Sequence, residues 1–413
     1  MNYVIVGNST AAIGTVEGIR SVDTQGTITL ISDEPHRTYS RPLMSYYLSG
    51  KIPEAKMYYR SKDYYERLDI IPRLGERVSA LRLEEKMLVL ESGETIPYDR
   101  LMLATGGKPI VPLIPGRDFK GVHTFIKWDD VLGLEKVLKT GSRVIVMGAG
   151  VNGLKAVEAL IKCGVEVTVV EINNQVLSAI LDETAAALVQ KTLENHGVKF
   201  CLNTTVTEIF AKKGAVSGVC LQDGITLDCE QVVITIGISP NVDLAETTEI
   251  KLNRGILVDE HMATSVADVY AAGDVAEVYD SLYRERRVLP VIPNTYKQGF
   301  NAGMNMAGKA QSYGGSFAMV SIGFFDLPII TSGIVKPKGE GFTELIDTSS
   351  EGYRKVVLRE GQIVGYLVLN KVDCAGNLAS LMEKEIDVRD FQQDLFKEDF
   401  NYANILQGYR QEQ

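Results

Sequence analysis

The sequence predicts an α/β fold: two Rossmann-like units and a small α+β C-terminal domain. Two glycine-punctuated turns, VIVGNSTAAIG (Val4 to Gly14) and VIVMGAGVNGLK (Val144 to Lys155), lie about 140 residues apart. Each follows a short β-branched run and opens a stretch with helical spacing, so the free N–H groups of a helix N-terminus can face a dinucleotide pyrophosphate. The surroundings of the two turns repeat, and from about residue 315 the pattern changes to an alternation of period two.

In the second turn Gly148, Gly150 and Gly153 complete GxGxxG. The first glycine allows the tight turn, the second lets backbone approach phosphate, and the third lets helix pack on strand. The first turn reads Gly7-Asn8-Ser9-Thr10-Ala11-Ala12, with small residues, Ser9 and Ala12, in the second and third places. Strand Thr27 to Ile31 then ends in Ser32-Asp33-Glu34, and strand Glu166 to Val170 ends in Glu171. Both ends fall roughly 20 to 26 residues downstream, where an acid can bind a ribose hydroxyl. Each unit later has an apolar strand ending in glycine, LMLATG (Leu101 to Gly106) and VVITIG (Val232 to Gly237), so the duplication extends well beyond the turns.

Residues 1 to about 112 hold a βαβ unit, a Tyr-rich segment and hairpin strands, and Pro109, Pro112 and Pro115 close them. Residues 113–246 hold the second βαβ unit, a helix over Asp182 to His196, and strands Val206 to Phe210, Val216 to Leu221 and Gln231 to Ile236. In residues 247–314 the chain returns through short strands to Tyr270-Ala271-Ala272-Gly273-Asp274, then a helix carrying Gln298, Gly299, Ala302 and Gly303. In residues 315–413, alternation in Tyr353 to Arg359 and Ile363 to Leu369 predicts an antiparallel sheet, with helices near Asn377 to Lys384 and Val388 to Phe396.

A chain of 413 residues, 45% of them hydrophobic, is long enough for two or three domains with full cores. A formal charge of −10 disfavours nucleic acid and anionic membrane surfaces as partners. No apolar run approaches membrane-spanning length, and the first strand begins at Tyr3 without room for a secretory leader, so a cytoplasmic location is expected. Cys163, Cys201, Cys220, Cys229 and Cys374 stand singly without CxxC spacing, which reads as buried inert thiols. His36, His123, His196 and His261 have no ligand spacing, so no metal site is expected and the chemistry must come from a borrowed cofactor.

The ordered set GNSTAA, ISDEPHRTYSRPLMSYYLSGK, ATGGKP, GAGVNGLKAVEAL, TIGISPN and TSVADVYAAGD resembles the FAD-dependent pyridine nucleotide-disulfide oxidoreductases. Within them it is most similar to the NADH:rubredoxin reductase, ferredoxin reductase and NADH oxidase branch, over nearly the whole chain. The resemblance implies that the NAD(P)H domain is inserted into the FAD domain. It implies FAD contacts at Gly7, Ser9, Thr10, Ala11 and Ala12 (pyrophosphate), Asp33 or Glu34 (adenosine ribose), Arg41 and Pro42 (beside the flavin) and Val78 (adenine). Thr105, Gly106, Lys127 and Gly273 are implied as further contacts, and Asp274 as the ribitol partner. On the NAD side it implies Gly148, Gly150, Asn152, Gly153, Glu171 and Gly237. Glu171 is followed by Ile172-Asn173-Asn174 with no basic residue, which favours NADH over NADPH.

Two departures from that pattern bear on mechanism. Thiol-using relatives place a redox cysteine where this chain has Pro42, and others carry CxxxxC on the flavin helix; this chain has neither. Without a thiolate at the flavin, disulfide reduction is disfavoured and electrons must leave the flavin directly. Lys155 stands where most relatives carry glutamate near the nicotinamide, and it either tunes nicotinamide binding or caps the helix surface. Arg284, Arg286 and Arg287 either steer a small acidic carrier or form a solvated loop. The expected function is an NADH-dependent flavoprotein reductase passing electrons to a rubredoxin- or ferredoxin-like carrier or a larger redox complex, with the chain as a possible homodimer. The alternatives are a thiol-independent NADH oxidase and an FAD-bearing relay or structural subunit of a complex.

Overall fold

The computed structural model describes residues 1–349, 352–397 and 400. Its contacts divide the chain into two compact units. The first comprises Met1–Ile110, Ile126–Trp128 and Gly237–Ala318; the second comprises Val111–Phe125, Asp129–Ile236 and the described residues from Met319 onward. The second glycine turn is thus inserted, in sequence, within the first unit.

The first unit is built on a five-stranded parallel sheet in the order Val269–Ala271, Arg100–Leu103, Asn2–Val6, Thr27–Ser32, Ile70–Leu74. Val4, Ile5, Ile28, Leu30, Leu101 and Met102 are buried, the near-continuous apolar runs of strands covered on both faces. Helix Thr10–Arg20 leaves the first strand through the glycine turn and packs against helix Ile292–Met306, which starts with a proline in its first turn. Their seam is made of glycines: a β-carbon on Gly14 would lie 2.5 Å from the Tyr296 carbonyl oxygen, and one on Gly18, Gly299 or Gly303 would overlap a carbonyl oxygen of the facing helix. Only glycine lets two backbones approach so closely.

The second unit repeats the plan. Its parallel sheet runs Lys199–Leu202, Glu166–Glu171, Arg143–Met147, Gln231–Ile234, Val122–Thr124. Its first four positions match the first unit's order read from Ile70–Leu74, but the fifth is filled from downstream in the first unit and from upstream in the second. Each unit also carries a three-stranded antiparallel sheet, Val78–Arg82, Met87–Leu90 and Thr95–Pro97 in one, Val206–Lys212, Ala215–Leu221 and Thr226–Asp228 in the other. Helix Glu183–Asn195 begins one residue inside the predicted span because Asp182 is its cap, accepting from the Ala185 N–H at 3.0 Å.

Beyond Met319 a five-stranded antiparallel sheet has the order Met319–Phe324, Leu327–Gly333, Gln362–Asn370, Gly352–Arg359, Phe342–Ser349, followed by helix Ala375–Glu383. These elements group with the second nucleotide fold. The helix expected over Val388 to Phe396 is not formed; the segment holds only a short 3-10 turn, Gln392–Asp394. The Val388 N–H donates to the Gly361 carbonyl at 2.8 Å and the Asp387 carboxylate accepts from the Arg389 N–H at 3.1 Å.

Candidate functional site

Gly7 adopts φ +124°, and a β-carbon there would overlap the Ala104 carbonyl oxygen, so no other residue fits the turn. Ser9 is extended and gives helix Thr10–Arg20 no side-chain cap, which leaves first-turn amides available to an anion. Ala11 and Ala12 are buried beneath that turn. Gly273, remote in sequence, comes to the same place: a β-carbon on it would meet Ala11 Cβ and Thr295 Cγ2, each at 3.1 Å, and its N–H donates to Gln298 Oε1 at 2.8 Å. Beside it burial pushes the Asp274 carboxyl up, against the opposing pull of the Arg41 charge and a hydrogen bond from Thr295.

Arg41 and the two candidate ribose acids form one network. The Arg41 guanidinium donates to Glu34 Oε1 at 2.7 Å and to the Ile126 carbonyl. The Tyr39 hydroxyl donates to Glu34 Oε2 at 2.6 Å and accepts from the Trp128 N–H at 2.9 Å. Glu34 is buried and committed to this network, whereas Asp33 is exposed and pairs with Lys127 at 2.7 Å. Burial lowers the guanidinium's affinity for its proton, but Tyr39, Glu34 and Asp274 outweigh that and leave Arg41 more firmly charged. Pro42 is exposed in the short 3-10 turn Arg41–Leu43. Thr105 donates to the Asn241 carbonyl at 2.7 Å, Gly106 has φ +69° and accepts from the Asn241 N–H, and Val78 is buried at the start of its antiparallel strand.

The second turn shows the same division of labour. Gly148 has φ +100° and a β-carbon there would lie 2.6 Å from the Thr235 carbonyl oxygen; one on Gly153 would overlap the Gly148 carbonyl oxygen. Gly150, the cap of helix Val151–Lys162, faces open space, and Asn152 is exposed beside it. Glu171 is buried, accepting from the Ala149 N–H at 2.6 Å, the Asn173 N–H at 2.9 Å and Asn173 Nδ2 at 2.5 Å. Gly237 lies in the first unit, with φ +131° and its carbonyl accepting from the Ile110 N–H. The Lys155 ammonium bonds Glu158 on its own helix and, at 3.1 Å, the Gly323 carbonyl of the hairpin that follows Met319.

Of the arginine cluster, Arg286 donates to the Val258 carbonyl and Arg287 pairs with Asp280 and Glu285 while lying 3.9 Å from the Tyr283 ring centroid. Burial pushes the Cys163, Cys201 and Cys374 thiols up and that of Cys229 to about 12, away from the low values of reactive thiols. Among the described residues no group of three or more His, Cys, Asp or Glu is placed to hold a metal, and no helix is long and apolar enough to cross a membrane. Sequence reasoning missed Tyr59 and Tyr65, whose hydroxyls reach the first turn; the Tyr-rich run was their only signal.

Two glycine turns with uncapped helix starts, in one chain with an inserted second unit, match a known arrangement. Residues 1–299 match the family described as pyridine nucleotide-disulphide oxidoreductase. The chain belongs to that family. It is an oxidoreductase of FAD and NAD(H). It is 28% identical to the epsilon subunit of NADH-dependent phenylglyoxylate dehydrogenase of Aromatoleum evansii, over 94% of this chain and 92% of that protein. It is 31% identical to nitrite reductase [NAD(P)H] of Bacillus subtilis over 93% of this chain, but spans only 47% of that relative's length. It is 29% identical to rubredoxin-NAD(+) reductase of Pseudomonas putida, over 72% of this chain and 78% of the relative. Among solved structures, putidaredoxin reductase in its complex with putidaredoxin has the same fold, with a TM-score of 0.90, 23% identity and 99% of both chains covered.

The cradles fit these cofactors on the structure's own terms. Gly7 closes its turn where a β-carbon would collide, Ser9 leaves helix amides uncapped, and Gly150 opens onto free space.

Proposed function

We propose that this member of the family takes hydride from NADH onto FAD and delivers electrons to a small iron–sulfur carrier of rubredoxin or ferredoxin type, or to a larger redox complex. In this reading FAD occupies residues 1–112 and 247–314, NADH occupies 113–246, and 315–413 serve a partner. Bound FAD supplies the chemistry, accepting a hydride and releasing electrons singly. The chain's own residues hold and orient. Amides of the first turn, Gly7 through Ala12, face the pyrophosphate; of the two candidate acids Asp33, exposed and paired with Lys127, takes the ribose, since Glu34 is buried in the Arg41 network. Arg41 brings fixed positive charge to the flavin side, and Asp274 accepts from the ribitol. Val78, Thr105, Gly106, Lys127 and Gly273 complete the first site. On the second site Gly148, Gly150, Asn152, Gly153 and Glu171 bind NADH, with no basic residue after Glu171 to hold a 2′-phosphate.

The observation that carries the exit route is Pro42 together with thiols whose pKa values burial raises. With no sulfur relay at that position, electrons pass straight to the acceptor. The match to a dehydrogenase subunit, over 94% of this chain and 92% of that protein, favours, as a second reading, a relay subunit within a complex. Location in the cytoplasm and a homodimer belong to the same proposal; light scattering of the loaded protein reads the latter. Anaerobic NADH titration of the FAD-loaded protein, then reoxidation by a panel of rubredoxin, ferredoxin and oxygen, tests the whole. Bleaching followed by fast reoxidation by an iron–sulfur protein is expected. Fast reoxidation by oxygen alone makes it an oxidase, and no bleaching by NADH removes the catalytic reading.

A further inference from the structure

The first turn keeps one of the three glycines of its counterpart, and its conformation is held from outside. The hydroxyl of Tyr65 donates to Asn8 Oδ1 at 2.9 Å and accepts from the Thr38 N–H at 3.0 Å. Asn8 Nδ2 in turn donates to the His36 carbonyl at 3.1 Å. Thr38 Oγ1 donates to the Tyr59 hydroxyl at 3.0 Å, and that hydroxyl also bonds Thr10, the first residue of the helix. Residues on both sides of Ser9 are thus tied to loop 36–38 through two tyrosines.

The same segment is sewn along the helix beyond the turn. Glu17 accepts from Arg60 Nε at 2.9 Å, the Tyr64 hydroxyl at 3.1 Å and the Tyr296 hydroxyl at 2.6 Å. Residues 59–65 therefore form a strap, with Tyr59 and Tyr65 at the turn and Arg60 and Tyr64 one to two helical turns further on. Burial raises the pKa of both Tyr59 and Tyr65, so each hydroxyl keeps its proton through the physiological range.

We infer that Tyr59 and Tyr65 are positioning residues of the first dinucleotide site. By fixing Asn8, Thr10 and Thr38, they hold the amides of the Gly7–Ala12 turn ready for the pyrophosphate. This rests on the assignment of FAD to the first turn. A phenylalanine keeps the ring in the core and removes only the hydroxyl, so the change isolates the hydrogen bonds, each a neutral bond worth about fivefold in affinity.

The test uses full-length protein stripped of flavin and reconstituted with FAD, read by quenching of flavin fluorescence and by thermal melting with and without FAD. Y65F and Y59F are each expected to weaken FAD binding about five- to tenfold, and the double change more. The melting temperature without FAD should fall by a few degrees at most, for the bonds lost within the protein, while the increment FAD gives should shrink. Y353F, which removes a hydroxyl bonded to Asp182 in the second unit, should leave FAD affinity unchanged. Wild-type affinity in Y65F and Y59F overturns the inference, as does a fall in melting temperature equal with and without FAD, which would make the strap merely structural. Failure of the wild-type protein to bind FAD would instead overturn the assignment of the site.

Discussion

Gly299 lies against Ala11 so closely that a β-carbon on Gly299 would overlap the Ala11 carbonyl oxygen. The contact joins the helix after the first glycine turn to the helix after Gly273-Asp274, and it seats two distant segments on one site. Gly299→Ala gains helix propensity of about 1 kcal/mol but forces the helices apart. We expect a net loss of about 2–3 kcal/mol and a marked drop in FAD retention, measured by thermal melting and by the flavin-to-protein absorbance ratio. Gly308→Ala, which has open space around it but φ +88°, should lose less and keep its flavin.

The second turn separates folding from binding. Gly153 cannot accept a β-carbon without striking the Gly148 carbonyl, whereas Gly150 has nothing within 4 Å and an ordinary negative φ of −77°. Gly153→Ala should lower the melting temperature by several degrees. Gly150→Ala should melt close to wild type yet bind NADH at least tenfold more weakly, because in the proposed site the new methyl group would occupy the space the phosphates need. Calorimetric titration with NADH checks the second, and equal damage by both changes would contradict it.

Much of this was legible in the sequence because backbone geometry writes itself into residue type. Gly7, Gly148 and Gly153 could be read directly, since only glycine meets a positive φ or a carbonyl at that distance. Period-two and β-branched runs likewise marked the strands. What escaped is what tertiary packing decides. Glu34 and Asp33 are adjacent in sequence, but Arg41 and Tyr39 claim one and Lys127 the other. Tyr59 and Tyr65 read only as a Tyr-rich stretch until the fold brings their hydroxyls to Asn8, Thr38 and Thr10. Val388 to Phe396 has helical spacing, yet the fold leaves it only the 3-10 turn Gln392–Asp394.

Glu17 gives a pH signature. Burial alone would raise its pKa, but bonds from Arg60 and Tyr296, the Arg60 charge and Tyr64 win and hold it below the ordinary glutamate value. A carboxyl depressed in the folded state contributes stability that is present above the unfolded value, about 4.3, and is lost as pH falls through the folded one. Glu17→Gln should therefore destabilise the protein by about 1–2 kcal/mol at pH 7 and progressively less below pH 4. Urea unfolding across pH 3–7 reads the difference, and a loss independent of pH would mean the charge is irrelevant.

Chemistry without a sulfur relay predicts indifference to thiol loss. Replacing Cys163, Cys201, Cys220 and Cys374 by Ser and Cys229 by Ala should leave anaerobic reduction by NADH within about twofold of wild type. Cys229 is buried and apolar in its surroundings, so a hydroxyl there would be costly and alanine is the suitable choice. Loss of reduction in the cysteine-free protein, with its melting temperature intact, would show that a thiol takes part.

Lys155 decides between two uses of one charge. Its ammonium bonds Glu158 and the Gly323 carbonyl and lies 5.6 Å from the Phe324 ring centroid, while Glu158 accepts from the Phe325 N–H at 3.2 Å and from Lys162 at 3.1 Å. Helix and hairpin turn thus exchange hydrogen bonds on both sides of Phe324, and Phe325 stacks on His196 with ring centroids 3.6 Å apart. Lys155→Glu sets two carboxylates together against the Gly323 carbonyl, with one cation, Lys162, left between them. Truncating one member of a half-buried pair, or reversing it, costs about 2–4 kcal/mol. We expect Lys155→Glu to lower the melting temperature and speed amide exchange across Gly323–Phe325, with NADH affinity changed less than threefold. Lys155→Arg should restore most of the stability. A large loss of NADH affinity with the hairpin still protected would instead place the charge at the nicotinamide.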